Sequence, residues 1–393
     1  MPHPVIWYSS TDAGAPTLNN APGSLINVLD ACLINGYNAR SVTSLSVAAG
    51  VATATVSAHG FRSGQIVLVE GATPTALNGR QKVTVTGANT LTFPALGVPD
   101  GTATGTITMK AAPLGWEKRF SGTNKAVYAR TAPEATAMVL RIDDTGASPA
   151  ASTYGRALMY EAMSDVDTGT NSTPIGLAQG QYWSKGQNNS SAKPWLLVGD
   201  DLLFYLFTEN FGPGGSFSTT GGYLAHAFGD IVSYRQGDAY KCLIGGPDTT
   251  TPTTAFLVVG VSLGNAMGGD STLLARRADQ IVMAPSISPV TPFTGRHGAS
   301  GPAYPSPVDN GGVVCYPVPC AESNSTFGNP LRGHFPGFAL LMANVGRALS
   351  GQVLDNLIGA HDRSFLVVGL SDGGVPWSTN PGCILIDVAG PWR

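Results

Sequence analysis

The chain has 393 residues, 43% hydrophobic and only 12% charged, with 22 basic against 25 acidic side chains and a formal net charge of −3. That length allows two or three domains and a sizeable core, while the lack of any basic cluster beyond Arg276-Arg277 excludes a nucleic-acid footprint. Apolar runs recur too often for low-complexity disorder, none is long enough to span a bilayer, and MPHPVIWYSS lacks the basic and apolar regions of a signal peptide. The expectation is a chain made in a cytoplasm and not inserted in a membrane.

Val5-Ile6-Trp7-Tyr8 reads as a short strand and Ser9–Pro22 as a loop. Ser24 is the expected N-cap of a three-turn helix over Leu25–Ile34, apolar nearly all round, with Gly36 as its left-handed stop. So short a helix must dock to be stable. Ser41–Lys110 then changes character, with short alternating runs separated by turn signals. Its strands are expected at Thr43–Val47, Val51–Val56, Gln65–Glu70, Gln81–Thr86, Thr90–Phe93 and Gly105–Met109, with turns at His59-Gly60 and Asn78-Gly79. The segment has modest apolar bulk between aromatic-rich flanks. It is therefore read as a small β-sandwich or barrel module, 41–110, inserted into a main β-rich body of 1–40 and 111–393.

The body continues with strands expected at Ala126–Arg130, Ala137–Ile142 and Arg156–Met163, the last placing Ala157, Met159, Glu161 and Met163 on one face. Trp195–Val198 and Leu202–Phe207 flank Gly199-Asp200-Asp201 as a hairpin. Leu224–Ser233, Ala239–Ile244 and Phe256–Leu263 follow. Pro285–Gly312, rich in Gly, Pro and Ser, reads as a long surface loop. Phe338–Ala343, Ser364–Leu370 and Cys383–Val388 close the chain. The fold class is mainly β: a sandwich- or barrel-like body, one short N-terminal helix and a small inserted all-β domain.

Chemistry-bearing motifs are few. Asp165-Val-Asp167-Thr-Gly169 resembles the start of a calcium loop, but Gly169 and Gly176 stand where ligands are needed, so it reads as a turn, as does Asp143-Asp144-Thr-Gly146. His3, His59, His226, His297, His334 and His361 show no metal-binding spacing. His361-Asp362, after a possible helix, is the nearest approach to a base with an orienting acid, and no nucleophile elbow accompanies it. Asp165, Asp167, Asp200, Asp201 and Glu161 are the acids from which a glycosidase pair could come. Cys32, Cys242, Cys315, Cys320 and Cys383 are an odd set best read as thiols. Cys315 and Cys320 in CYPVPC allow a local disulfide, and no second pair completes a zinc site. Gly212-Pro-Gly-Gly215 and Gly221-Gly222 lack the Lys-Ser/Thr of a phosphate loop. Trp183, Tyr182, Trp195, Tyr205, Phe207 and Phe211 could stack on sugars but read more simply as core or interface anchors. No catalytic, cofactor-binding or metal site is assigned.

WYSSTDAGAP with GSLINVLDACLINGY, then GWEKRFSGTNKAVY, LRIDDTG, YEAMSDVDTGT and the closing DVAGPWR, resemble a recurring set in virion proteins of tailed bacteriophages. In those proteins NGY passes almost directly to GWxKxFSGTNKAVY, whereas here Ser41–Lys110 intervenes. Through AHGFRSGQIVLVEGATPTALNGRQKVTV that segment resembles the immunoglobulin-like or barrel modules of phage tail proteins. The resemblance implies a virion component; taken with the charge-poor, β-rich composition, the expectation is a non-enzymatic structural subunit, made in the host bacterial cytoplasm and assembled as a symmetric oligomer in the tail, neck or baseplate. Its partners would be copies of itself and other virion proteins, with Ser9–Pro22 and Pro285–Gly312 against neighbouring subunits. The other readings are a receptor- or carbohydrate-binding virion protein contacting host-surface glycan, a capsid decoration protein, and an enzyme such as a depolymerase.

Overall fold

A computed structural model describes residues 3–146, 153–173, 180–186, 190–209, 223–247, 271–275, 287–289, 315–322, 331–341, 351–357, 360–370 and 382–393. The fold is mainly β, and three hydrophobic cores organise it.

The hairpin Trp195–Gly199 and Leu203–Glu209 shows why these runs are apolar without interruption: both of its faces are buried. Side chains alternate across a strand. Trp195, Leu197, Phe204 and Leu206 enter the first core, whereas Leu196, Val198, Leu203, Tyr205 and Phe207 enter the second. On the first side lies a five-stranded antiparallel sheet ordered Glu117–Gly122, Lys125–Ala129, Val139–Asp143, Tyr154–Tyr160, Gln181–Ser184. On the second side lie Leu331–Leu341, Ala360–Leu370 and Gly382–Asp387. These C-terminal strands belong to the same 13-stranded sheet as the hairpin, continued through one parallel bridge, Tyr223 to Leu370. The sheet therefore folds over onto itself. Tyr205 fixes the fold-over: its ring lies 5.9 Å from Phe338 and 5.7 Å from Trp392, and its hydroxyl donates to Pro336 O at 3.0 Å. The architecture is layered, and no barrel closes among the described residues.

The third core belongs to residues 37–111. One sheet runs Tyr37–Ser41, Thr108–Ala111, Ile66–Glu70, Gly79–Lys82. The other runs Thr84–Gly87, Thr90–Pro94, Val51–Thr55, Ser44–Ala48, Gly101–Thr102. Leu45, Val47, Val67, Val69, Leu91, Phe93 and Met109 fill the space between them. The run expected as one strand over Gln81–Thr86 is two strands, because the chain crosses from one sheet to the other at buried Val83. The strand expected from Gly105 begins at Thr108.

The N-terminal helix departs from expectation at both ends. Gly23, with φ +81°, is the N-cap, and Ser24 lies inside the first turn with its hydroxyl donating to Asn19 O at 2.6 Å. The α-helix Ser24–Leu29 continues as a π turn, Asp30–Asn35. Gly36 has φ +70° but an extended ψ of 176°, so it is not a left-handed helical stop. A side chain there would overlap Ala111 O, which is why only glycine fits. Two further expectations fail. The run Arg156–Met163 breaks after Tyr160: Ala157 and Met159 face the first core, while Met163 packs with Val127 and Val139 on the opposite face. His361-Asp362 lies at the start of the strand Ala360–Leu370, not after a helix. Phe256–Leu263 lies outside the described residues, as does Pro285–Gly312 apart from the strand Ile287–Pro289. No helix among the described residues is long and apolar enough to cross a membrane.

Candidate functional site

A polar cluster joins residues 37–111 to the body, and Asp12 is its centre. Asp12 sits in the loop Ser9–Pro22 and accepts from Ser9 N at 3.1 Å, from the Tyr37 hydroxyl at 2.7 Å and from Arg62 Nε at 3.0 Å. Burial, with Cys32 and Asp12 nearby, raises the Tyr37 phenol pKa far above its ordinary range, so the hydroxyl stays a donor. Arg62 also donates to Trp7 O at 2.6 Å and lies 3.3 Å over the Trp7 ring. Asn38 donates to His59 O at 2.7 Å, and Arg80 to Pro113 O at 2.7 Å. A cavity of ≈ 320 Å³ lies along this seam, lined by His3, Trp7, Gln65, Arg80, Lys82 and Pro391 among others. The loop is further tied to the body by Trp195 Nε1 donating to Pro16 O at 3.1 Å and Lys193 N donating to Leu18 O at 2.8 Å. Much of Ser9–Pro22 thus rests on its own chain.

Buried ion pairs fasten the layers. Asp144 pairs with Lys185, both side chains fully buried, and also accepts from Leu25 N at 2.9 Å, capping the helix from 119 residues away. Burial raises the Asp144 carboxyl pKa despite Lys185. Arg130 meets Asp230 at 2.9 Å, and burial pushes the adjoining Cys242 thiol up to about 12. Arg332 meets Asp238 at 3.0 Å. Burial opposes ionisation there, but the arginine's bonds outweigh it and hold the Asp238 carboxyl below its usual range. The C-terminal Arg393 reaches Asp200 at 3.2 Å, and Trp392 Nε1 donates to Asp387 O at 2.8 Å.

The acids singled out from sequence are not brought together. Asp165 accepts from the backbone of Asp167 at 2.7 Å and of Thr168 at 2.8 Å, which is a turn. Asp167 bonds Lys125 at 2.8 Å and Arg141 at 2.6 Å. Asp143 caps Thr145, whereas Asp144, read with it as a turn residue, is the buried partner of Lys185. Asp200 holds the hairpin tip through Leu202 N and Leu203 N, and Asp201 bonds His3 at 2.6 Å. Glu161 bonds Asn171 at 2.8 Å and alone of the five lines an open groove of ≈ 870 Å³. Glu134 and Asp238, the other carboxylates of that groove, are engaged with His3 and Arg332. Glycoside cleavage needs two carboxylates across one bond, and the groove does not present them. No cluster suited to a metal occurs among the described residues. Trp183, Trp195, Tyr205 and Phe207 are fully buried, so they are core; Tyr182 is half-buried, and Phe211 lies outside the described residues. Cys320 is buried, and the Cys315 and Cys383 side chains lie outside the description.

A third polar cluster lies where the five-stranded sheet meets the hairpin. Lys193 is buried, with its Nζ 2.5 Å from Ser184 Oγ and the Glu209 charge nearby. His226 stacks on Trp183 at 5.3 Å and lies 3.1 Å from Thr208 Oγ1. Its burial, with Lys193 nearby, lowers the imidazole pKa to about 3. Nothing in the sequence reading pointed to Asp12, Arg62, Lys185 or Lys193. Their one signal is rarity, since isolated charges in so charge-poor a chain have reason to be paired inside.

Among known proteins, no family model matches the chain, and no curated protein matches it. Among solved structures it is similar to the phage phi92 endosialidase, at 12% sequence identity and a TM-score of 0.17 over 90% of this chain. The match spans 52% of that enzyme's chain. A likeness so weak carries no argument about fold or activity.

Proposed function

We propose that the chain is a structural subunit of a tailed-phage particle, assembling as a symmetric oligomer in the tail, neck or baseplate, with 41–110 as an inserted β module. The observation that carries this reading is where the extra segment enters. The resembling phage proteins run from NGY almost directly to GWxKxFSGTNKAVY. Here the two ends of the intervening segment are paired neighbours, Ser41 opposite Thr108 and Tyr37 opposite Ala111. An insertion at such a point leaves the rest of a body undisturbed. Among the described residues, Glu134 and Asp238 of the open groove are engaged with His3 and Arg332, and buried ion pairs such as Asp144–Lys185 and Arg130–Asp230 fasten one layer to another.

The module is the part suited to project from the particle, as a decoration or a weak binder of host-surface glycan. The test is immunogold microscopy of intact particles with antibody raised against the purified chain, beside a blot of denatured particles. Label concentrated at one place on the virion supports the reading and locates the subunit. Absence from both label and blot removes it.

A further inference from the structure

We propose that the cavity on the seam between residues 37–111 and the body binds a sugar-sized organic anion, its carboxylate or phosphate held by Lys82 and Arg80. This goes beyond the structural role and does not depend on it.

The edge strand Gly79–Lys82 places the charges. It pairs with Ile66–Glu70, so that Ile66 stands opposite Lys82 and Leu68 opposite Arg80. Residues two apart on a strand share a face, which puts Arg80 and Lys82 together and Gln81 on the other side. Ile66 and Leu68, on the same face, pack against the first core, so this face is turned to the body. Arg80 Nη2 donates to Pro113 O at 2.7 Å, which anchors the guanidinium across the seam and uses one of its N–H groups. Lys82 is exposed and has no hydrogen bond or ion pair among the described residues.

The rest of the wall suits an anion with an organic body. The cavity of ≈ 320 Å³ is at the lower end of the roughly 300–1,000 Å³ of small-ligand clefts, and Val5, Ile6, Val388 and Pro391 give it apolar surface. Gln65, only 4% exposed, also lines it. Its side-chain oxygen must be the atom that meets Arg62 N at 3.1 Å, because an N–H needs an acceptor. That leaves the Gln65 Nε2 donor without a partner among the described residues. A buried donor left unmet is costly, and a ligand oxygen in the cavity would satisfy it. No Asp or Glu lines the cavity. His3, the other ionisable group of the wall, is engaged with Asp201 at 2.6 Å and Glu134 at 2.7 Å. Two cations with no lining carboxylate make a positive wall, which a carboxylate or phosphate meets with charge-assisted hydrogen bonds.

The experiment titrates the full chain with glucuronate, glucose phosphate and neutral glucose, each at millimolar concentration, by isothermal calorimetry. Expected are one bound anion per chain, no binding of glucose, and an affinity that falls as salt rises. Binding of only one of the two anions supports the proposal and says which group the site takes. Lys82→Gln weakens binding by about tenfold or more, the usual loss for a charge-assisted bond, and Lys82→Glu abolishes it. Lys82 is exposed, so both variants keep the fold, which circular dichroism checks. Binding of neither anion, equal binding of glucose, or Lys82→Glu binding as tightly as the unaltered chain overturns the proposal.

Discussion

Replacing residues 42–107 by Asn-Gly should give a folded, shorter protein, and the register says why. Ser41 and Thr108 are directly opposed on antiparallel strands, so a two-residue turn can join them as a tight hairpin. The body would lose the Arg62 bond to Asp12 and the Arg80 bond to Pro113 O, each charge-assisted and worth about 1.5–3 kcal/mol. It would also lose the partial cover that Ile66 and Leu68 give the first core, roughly 1 kcal/mol for each half-buried side chain. Asp12 would keep Ser9 N and the Tyr37 hydroxyl. The expected loss is about 5–8 kcal/mol, in the lower half of the 5–15 kcal/mol typical of a folded domain. Circular dichroism and urea unfolding measure it, with incorporation into particles as the functional readout. The fragment 37–111, which owns the third core, should fold alone. An aggregated shortened chain together with an unstructured fragment would refute the inserted-module argument.

Three further outcomes follow from the buried groups. Lys185→Met should cost about 3–5 kcal/mol by leaving Asp144 without its cation, and Asp144→Asn in the same chain should recover much of it; additive losses in urea midpoints would count against the pair. His226 has its pKa lowered to about 3 against about 6.5 unfolded, so its contribution is complete above pH 6.5 and is lost as pH falls toward 3. At about 1.36 kcal/mol per unit the ceiling is near 5 kcal/mol, and His226→Gln should flatten unfolding midpoints measured across that window. Gly36→Ala should cost about 2 kcal/mol or more, from its positive φ and its overlap with Ala111 O; an unchanged melting curve would mean the turn relaxes freely.

The strands were largely legible because burial follows period two: Leu45, Val47, Leu91 and Phe93 announce the third core by alternation alone. The runs WLLVG and LFYLF announce burial but not its direction, since their two faces feed different cores and only the folded sheet separates them. The helix ends were misread for a local reason. Serine at position 24 has the chemistry of a cap, but Asp144, remote in sequence, supplies the carboxylate that holds Leu25 N. Of the candidate sites, the Asp165 turn was visible in its own residues. The Asp12–Arg62 and Ser184–Lys193 contacts were not, because each joins elements whose adjacency depends on the sheet order.

Charge placement links the composition to assembly. Four of the few basic residues, Arg130, Lys185, Arg332 and Arg393, are engaged with buried or nearly buried aspartates. Among the described residues these charges are withdrawn from the solvent-facing surface of a chain that is only 12% charged. A surface with few ions loses little solvation when a neighbour covers it, which suits a subunit that repeats one contact around an axis. If self-association uses that surface, its strength should hardly change as ionic strength rises from about 0.05 to 0.5 M, because screening acts on charges. Sedimentation velocity across that range measures it. A steep loss of oligomer with salt would place paired charges in the interface and contradict the argument from composition.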